Sequence, residues 1–174
     1  MVDTDSFKQQ IDPFIKAVMR KLPIDATIGE IGCGAGSTIK LLTPHQHWYG
    51  ADTNKEVLRQ IKANTKSEKV HVRYGAVSPH LDFPDNGCDI LFCLLKVHMI
   101  DNLREALAVL LAKASYGGKI IIVDFSDVEK SMMRRENNQA LWKECDLEEL
   151  LRKYRGFAKH ILNDRLVAYE IVKA

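Results

Sequence analysis

Apolar and polar positions recur along this chain in two rhythms, and the switches between them predict its elements. Near the N-terminus, Phe14, Ile15, Val18 and Leu22 fall at helical spacing, with Asp12-Pro13 as the expected cap and first helical residue and Pro23 closing the segment. A short strand is expected over Ala26 to Ile31, ending in Gly32-Cys33-Gly34-Ala35-Gly36, with Ser37 or Thr38 opening a short helix through Leu42. Trp48 to Asp52 reads as a second strand, Asn54 as the cap of a helix carrying Val57, Leu58 and Ile61, and Val70 to Tyr74 as a third strand. Pro79 to Gly87 is a loop rich in turn residues. Asp89 to Leu95 and Lys119 to Phe125 are largely apolar runs, the pattern of strands buried on both faces. Between them Leu103, Leu107, Leu110 and Leu111 mark a helix that Tyr116-Gly117-Gly118 is expected to end. A polar stretch leads to a helix over about 146–154, and the runs Ala158 to Leu162 and Leu166 to Val172 flank Asn163-Asp164 as a hairpin.

Strands alternating with helices argue for an α/β fold, a mostly parallel sheet with helices on both faces. The 174 residues suit one domain, with 1–24 as an N-terminal helical segment and 25–174 as the core. Ligands on such sheets bind beyond the carboxyl ends of the strands.

Charge narrows the function classes. Lys plus Arg is 25 against 23 for Asp plus Glu, so bulk charge does not favour nucleic acid or a membrane surface. The longest apolar stretch, Ile90 to Leu95, is far short of the roughly 20 residues of a membrane helix. The opening MVDTDSFKQQ lacks the basic start and apolar run of a secretory signal. Cys33, Cys88, Cys93 and Cys145 form no CxxC pair, which predicts reduced thiols in a cytoplasmic protein. Neither Cys88 with Cys93 nor His45 with His47 finds further ligands at recognisable spacing, so no metal is expected.

The strongest chemical signal is Glu30-Ile31-Gly32-Cys33-Gly34-Ala35-Gly36 between the first strand and a helix. Glycines permit a tight turn and close ligand approach. Asp52, 22 residues after Glu30 at the end of the second strand, is placed to accept hydrogen bonds from two adjacent ribose hydroxyls. Together these favour an adenosine cofactor. A dinucleotide site wants a Gly or Ala where Ser37 stands, and Glu30 is ill suited to a pyrophosphate. A cofactor with a cationic amino end and no phosphate, such as S-adenosylmethionine, fits better. A nicotinamide-dependent oxidoreductase is disfavoured also by the lack of a hydride-site constellation.

These residues resemble the class I S-adenosylmethionine-dependent methyltransferases, most closely the small-molecule, UbiE-like or type 11 domains, from about Ala26 to Val172. Glu30 to Gly36 is similar to that family's E-x-G-x-G-x-G loop and Gly50-Ala51-Asp52 to its ribose acid. Leu81 to Asp89, Val97 to Asp101, Gly117-Gly118 and Gly156-Phe157 resemble its later segments in order. The resemblance implies a Rossmann-like three-layer α/β/α sandwich with a seven-stranded, mostly parallel sheet and an antiparallel C-terminal hairpin strand. It implies S-adenosylmethionine as cofactor, S-adenosylhomocysteine as product and a small-molecule acceptor. The implied cofactor residues are Glu30, Gly32, Cys33, Gly34, Gly36, Asp52, Thr53, Ala76, Val77 and Leu94. In one departure, the acid that the family often places after strand three is missing from Gly75-Ala76-Val77-Ser78. Met99 and Tyr116 also replace the family's second His and its Pro.

No catalytic base is assigned firmly. His98, after strand four, is a candidate because imidazole titrates near neutrality, or else it is a packing residue. Asp124, ending strand five, either holds an acceptor or caps the following turn. Lys96 reads as a solvated lysine rather than one steering an anionic acceptor, and Phe7 and Phe14 as core packing rather than a cofactor cover. Met132, Met133, Arg134 and Arg135 lie in the insert Ser126 to Cys145, as an exposed amphipathic helix or an acceptor-pocket wall. An acceptor site completed by a homodimer partner is compatible with the length. The alternative function is a non-catalytic, methyltransferase-like binding or scaffold subunit.

Overall fold

A computed structural model describes residues 4–137 and 142–174, those at 4–6, 8, 99 and 133–137 through their backbone alone. Seven strands form one sheet: β1 (Thr27–Ile31), β2 (His47–Asp52), β3 (Val70–Tyr74), β4 (Cys88–Leu94), β5 (Ala114–Phe125), β6 (Arg155–Ile161) and β7 (Leu166–Val172). Their order is β3-β2-β1-β4-β5-β7-β6. The first five run parallel, while β7 is antiparallel to both β5 and β6. The expected mostly parallel sheet with an antiparallel hairpin is therefore present. The chain reverses its direction of travel across the sheet between β1 and β4, the switch point at which such folds leave a crevice.

Helices cover both faces. On one, α1 (Thr4–Met19) and α2 (Lys55–Asn64) place Phe7, Ile11, Ile15, Leu58 and Ile61 against Ile28, Ile90 and Ile121. On the other, α3 (Leu103–Lys113) and α5 (Glu144–Leu151) place Leu103, Leu107, Leu110 and Leu147 against Leu91, Ile120 and Ile122. The alternation of Ile120, Ile121 and Ile122 between the two cores is the period of a strand buried on both sides. A further helix, α4 (Asp127–Asn137), follows β5. Asn54 caps α2 as expected, its side chain accepting from the Glu56 N–H.

The helical boundaries depart from the local signals in four places. Pro13 does not open α1 but lies inside it. It removes one helical hydrogen bond, at a cost of about 3 kcal/mol. Phe7, Ile11, Ile15 and Met19, four residues apart and all buried, each return about 1.5–3 kcal/mol, so burial outweighs the break. Residues after Thr38 form a single 3₁₀ turn, Ile39–Leu41, because Thr38 is tied to Glu30 instead of starting an α-helix. Tyr116-Gly117-Gly118 does not end α3 but lies in β5, where the Gly117 N–H donates to Lys173 O and Gly118 O accepts from the Lys173 N–H. The fourth shift is small: α5 spans Glu144–Leu151 rather than 146–154. Phe7 packs edge-on to Phe125 at 5.0 Å, a core role. Met132 is exposed, and the side chains of Met133, Arg134 and Arg135 lie outside the described residues.

Candidate functional site

The glycine loop is organised from below. Glu30 is buried under it, accepting from Ser37 Oγ at 2.8 Å and from Thr38 Oγ1 at 2.6 Å. Trp48 Nε1 in turn donates to Thr38 Oγ1 at 2.8 Å. Burial holds the Glu30 carboxyl above its ordinary value, with the bonds from Thr38 and Ser37 pulling the other way. Glu30 therefore holds the loop from beneath through Ser37 and Thr38.

This burial has a pH signature. Between the ordinary value of 4.5 and its raised folded value, the folded state keeps a proton that the unfolded chain has lost. The contribution of Glu30 to stability is thus most favourable at low pH and falls as pH rises through its folded value. Urea unfolding of the wild type and Glu30→Gln between pH 5 and 8 should show the wild type losing ground to the variant as pH rises. A difference independent of pH contradicts this.

Asp52 is held at the end of β2 with its Oδ2 accepting from the Gly34 N–H at 2.9 Å and its Oδ1 from the Asn54 N–H at 2.8 Å. Beside it opens a cavity of about 170 Å³ lined by Ile31, Gly32, Asp52, Thr53, Gly75, Ala76, Val77, Lys96 and Ile100. These residues follow the carboxyl ends of β1 to β4, where the switch point predicts a ligand. Of the expected residues, Gly32, Asp52, Thr53, Ala76 and Val77 line the cavity. Gly34 and Gly36, both with positive φ, turn the loop but do not line the cavity; a Cβ on Gly36 would meet Ile39 instead. Cys33 and Leu94 are instead packed in the core beside α1 and α2, and line no part of the cavity. Strand alternation turns Leu94 inward, and a bond from the Cys33 N–H to Ala51 O holds that residue against β2.

Lys96 was missed as a site residue. Leu95 adopts φ 55°, uncommon for a residue with a Cβ, and after it the Lys96 side chain lies across Gly32. An added Cβ on Gly32 would stand 2.3 Å from Lys96 Cγ. Lys96 is thus a wall of the cavity rather than a solvated lysine.

The two candidate catalytic residues meet. His98 Nδ1 is 2.9 Å from Asp124 Oδ1, and Lys130 Nζ of α4 is 3.4 Å from Asp124 Oδ2. Asp124 is fully buried, Lys130 is 2% exposed and the His98 side chain 9%. Asp124 does not cap the following turn: Ser126 Oγ accepts from the Glu129 N–H there. Glu129 is pinned to Arg165 by a forked pair at 2.7 and 2.8 Å, so the first turn of α4 is tied to the closing hairpin. Lys130 and Glu129 carried no local signal, since both sit in an ordinary charged helical stretch. Burial pushes the Cys88 and Cys93 thiols up to about 12, the property of packing cysteines.

Known proteins share this fold. No curated protein matches the sequence. One similar solved chain comes from the complex between the Haloferax volcanii Trm112 methyltransferase activator and its methyltransferase. It is 13% identical with a TM-score of 0.75, and the match covers 98% of this chain and 95% of that one. An S-adenosylmethionine-dependent methyltransferase of Aquifex aeolicus is 15% identical, with full coverage of both chains and a TM-score of 0.70. Haemonchus contortus phosphoethanolamine N-methyltransferase 2, in complex with S-adenosyl-L-methionine, is 12% identical with a TM-score of 0.76. That match covers 93% of this chain and 52% of the larger enzyme. At these identities the likeness is one of fold. A family model, the methyltransferase domain, matches residues 29–122, more than half of the chain, and spans both the glycine loop and Asp52. The chain therefore belongs to the methyltransferase-domain family, within the class I S-adenosylmethionine-dependent methyltransferase superfamily.

Proposed function

We propose that the chain binds S-adenosylmethionine in the cavity beyond β1 and β2 and transfers its methyl group to a small-molecule acceptor. The observation that carries this reading is Asp52 on the cavity wall beside the glycine loop. An ionised carboxylate offers about four acceptor positions, and backbone N–H groups take one on each oxygen of Asp52. Capacity for two ribose hydroxyls remains. Ala76 and Val77 offer an apolar wall and backbone groups to the adenine, in place of the missing acid. S-adenosylmethionine, when bound, supplies an activated sulfonium methyl, so the protein mainly positions the acceptor, an effect worth up to about 7–11 kcal/mol.

The candidate base in this reading is His98, which lies between the cavity-wall residues Lys96 and Ile100 in the chain and is not itself part of the lining. An ionised Asp124 only accepts, so His98 Nδ1 carries the proton of their bond and Nε2 is left as the basic atom. Proton removal by such a group contributes about 10²–10⁴ in rate.

S-adenosylhomocysteine at about 100 times its Kd should stabilise the protein by about 2.7 kcal/mol. At this chain length that raises Tm by about 5–11 °C. No shift at millimolar ligand overturns the reading. The absence of an acid at Gly75 to Ser78 favours a second reading, a methyltransferase-like subunit without turnover. Such a subunit would leave a labelled methyl group on the cofactor when offered a small-molecule extract, whereas an enzyme would transfer it.

A further inference from the structure

We propose that Lys96 binds a carboxylate in the cavity, namely the one on the amino-acid arm of the cofactor. The inference rests on the reading that this cavity takes S-adenosylmethionine, and it adds the residue that recognises the end of the ligand farthest from the adenine.

Three observations carry it. First, Lys96 is a half-buried cation on the cavity wall, with no hydrogen bond or ion pair to a carboxylate among the described residues. The one carboxylate on the same wall, Asp52, is turned to backbone N–H groups of Gly34 and Asn54 and not to Lys96. Second, its position is imposed by the backbone. Leu95 at φ 55° stores local strain of the kind that persists where the surroundings fix it, held here by a 2.7 Å bond from its N–H to Val123 O. That turn lays the Lys96 chain over Gly32, where an added Cβ would stand 2.3 Å from Lys96 Cγ. Third, the cavity is about 170 Å³ with Lys96 lying across it, below the roughly 300–1,000 Å³ usual for small-molecule sites. The space next to Asp52 suits the nucleoside, and the arm must run from the ribose along the glycine loop, beneath the Lys96 chain. A flexible four-carbon stem can lift from Gly32 and keep its ammonium on the arm. Of the charged groups on that arm, only the carboxylate attracts a cation. The amino group and the sulfonium are repelled by it, which fixes the arm's orientation.

Two defined probes test this: S-adenosylhomocysteine, which carries the arm, and 5′-methylthioadenosine, which lacks it. Isothermal titration of the wild type, Lys96→Gln and Lys96→Arg with each probe gives six affinities. Lys96→Gln should weaken S-adenosylhomocysteine by about tenfold or more and leave 5′-methylthioadenosine within about twofold, while Lys96→Arg keeps most of the affinity. Equal loss of both probes, or tighter binding of both by Lys96→Gln, overturns the inference, the latter marking Lys96 as an obstruction. If neither probe binds the wild type, the reading of the cavity itself fails. Unliganded melting temperatures of the three proteins confirm that each is folded.

Discussion

Lys130→Met should destabilise this protein by about 3–5 kcal/mol, the cost of leaving one partner of a buried ion pair alone. Lys130 Nζ lies 3.4 Å from Asp124 Oδ2, and the two side chains are 2% and 0% exposed. Methionine matches the lysine stem in length and apolar character, so packing is largely kept and the charge is what goes. Asp124 would then retain only His98 as a partner among the described residues, on its other oxygen. At this chain length, the loss corresponds to about 6–20 °C in Tm. The double variant Asp124→Asn/Lys130→Met should recover most of it, because removing both charges also removes the desolvation they require. Thermal melts and urea unfolding of the single and double variants measure this. A loss below about 1 kcal/mol for Lys130→Met would place the pair with exposed ion pairs and contradict its burial.

The second large effect concerns ligand binding. Asp52→Ala should weaken S-adenosylhomocysteine by at least about tenfold to a hundredfold, since each hydrogen bond to a charged group is worth about 1.5–3 kcal/mol. Asp52 has two tasks, and both are lost. It would no longer accept from the ribose, and the Gly34 and Asn54 N–H groups that it holds would lose their partner. Asp52→Asn keeps one acceptor oxygen and should fall between the wild type and the alanine variant. Calorimetric titration of the three proteins gives the order. Equal affinities would remove Asp52 from the ribose role and leave it as a loop support alone.

The two effects separate the parts of the site. The Lys130–Asp124–His98 cluster joins β5, α4 and the segment after β4, and its disruption is read in stability. Asp52 and the glycine loop join β1 and β2, and their disruption is read in ligand affinity. If the proposed chemistry holds, the acceptor meets the first group and the cofactor the second.

The sequence by itself determined what depends on neighbours a few residues apart. Strand periods, the Asn54 cap, the glycine loop and the closing hairpin are all local, and the structure contains each. Asp52 was legible because an acid at the end of a second parallel strand lies beside the first strand's loop in any such sheet. Tertiary structure alone decided the rest. His98 and Asp124 are 26 residues apart, and only the parallel pairing of β4 with β5 brings their ends together. Lys130 joins them because Glu129, one residue before it, is anchored on Arg165 from the far hairpin. Pro13 stays inside a helix because a buried stripe running from Phe7 to Met19, on both sides of it, outweighs one missing hydrogen bond. Glu30 goes under its loop and Lys96 over Gly32 because the backbone turns that aim them are set by packing across four strands, which no pattern of residue types along the chain records.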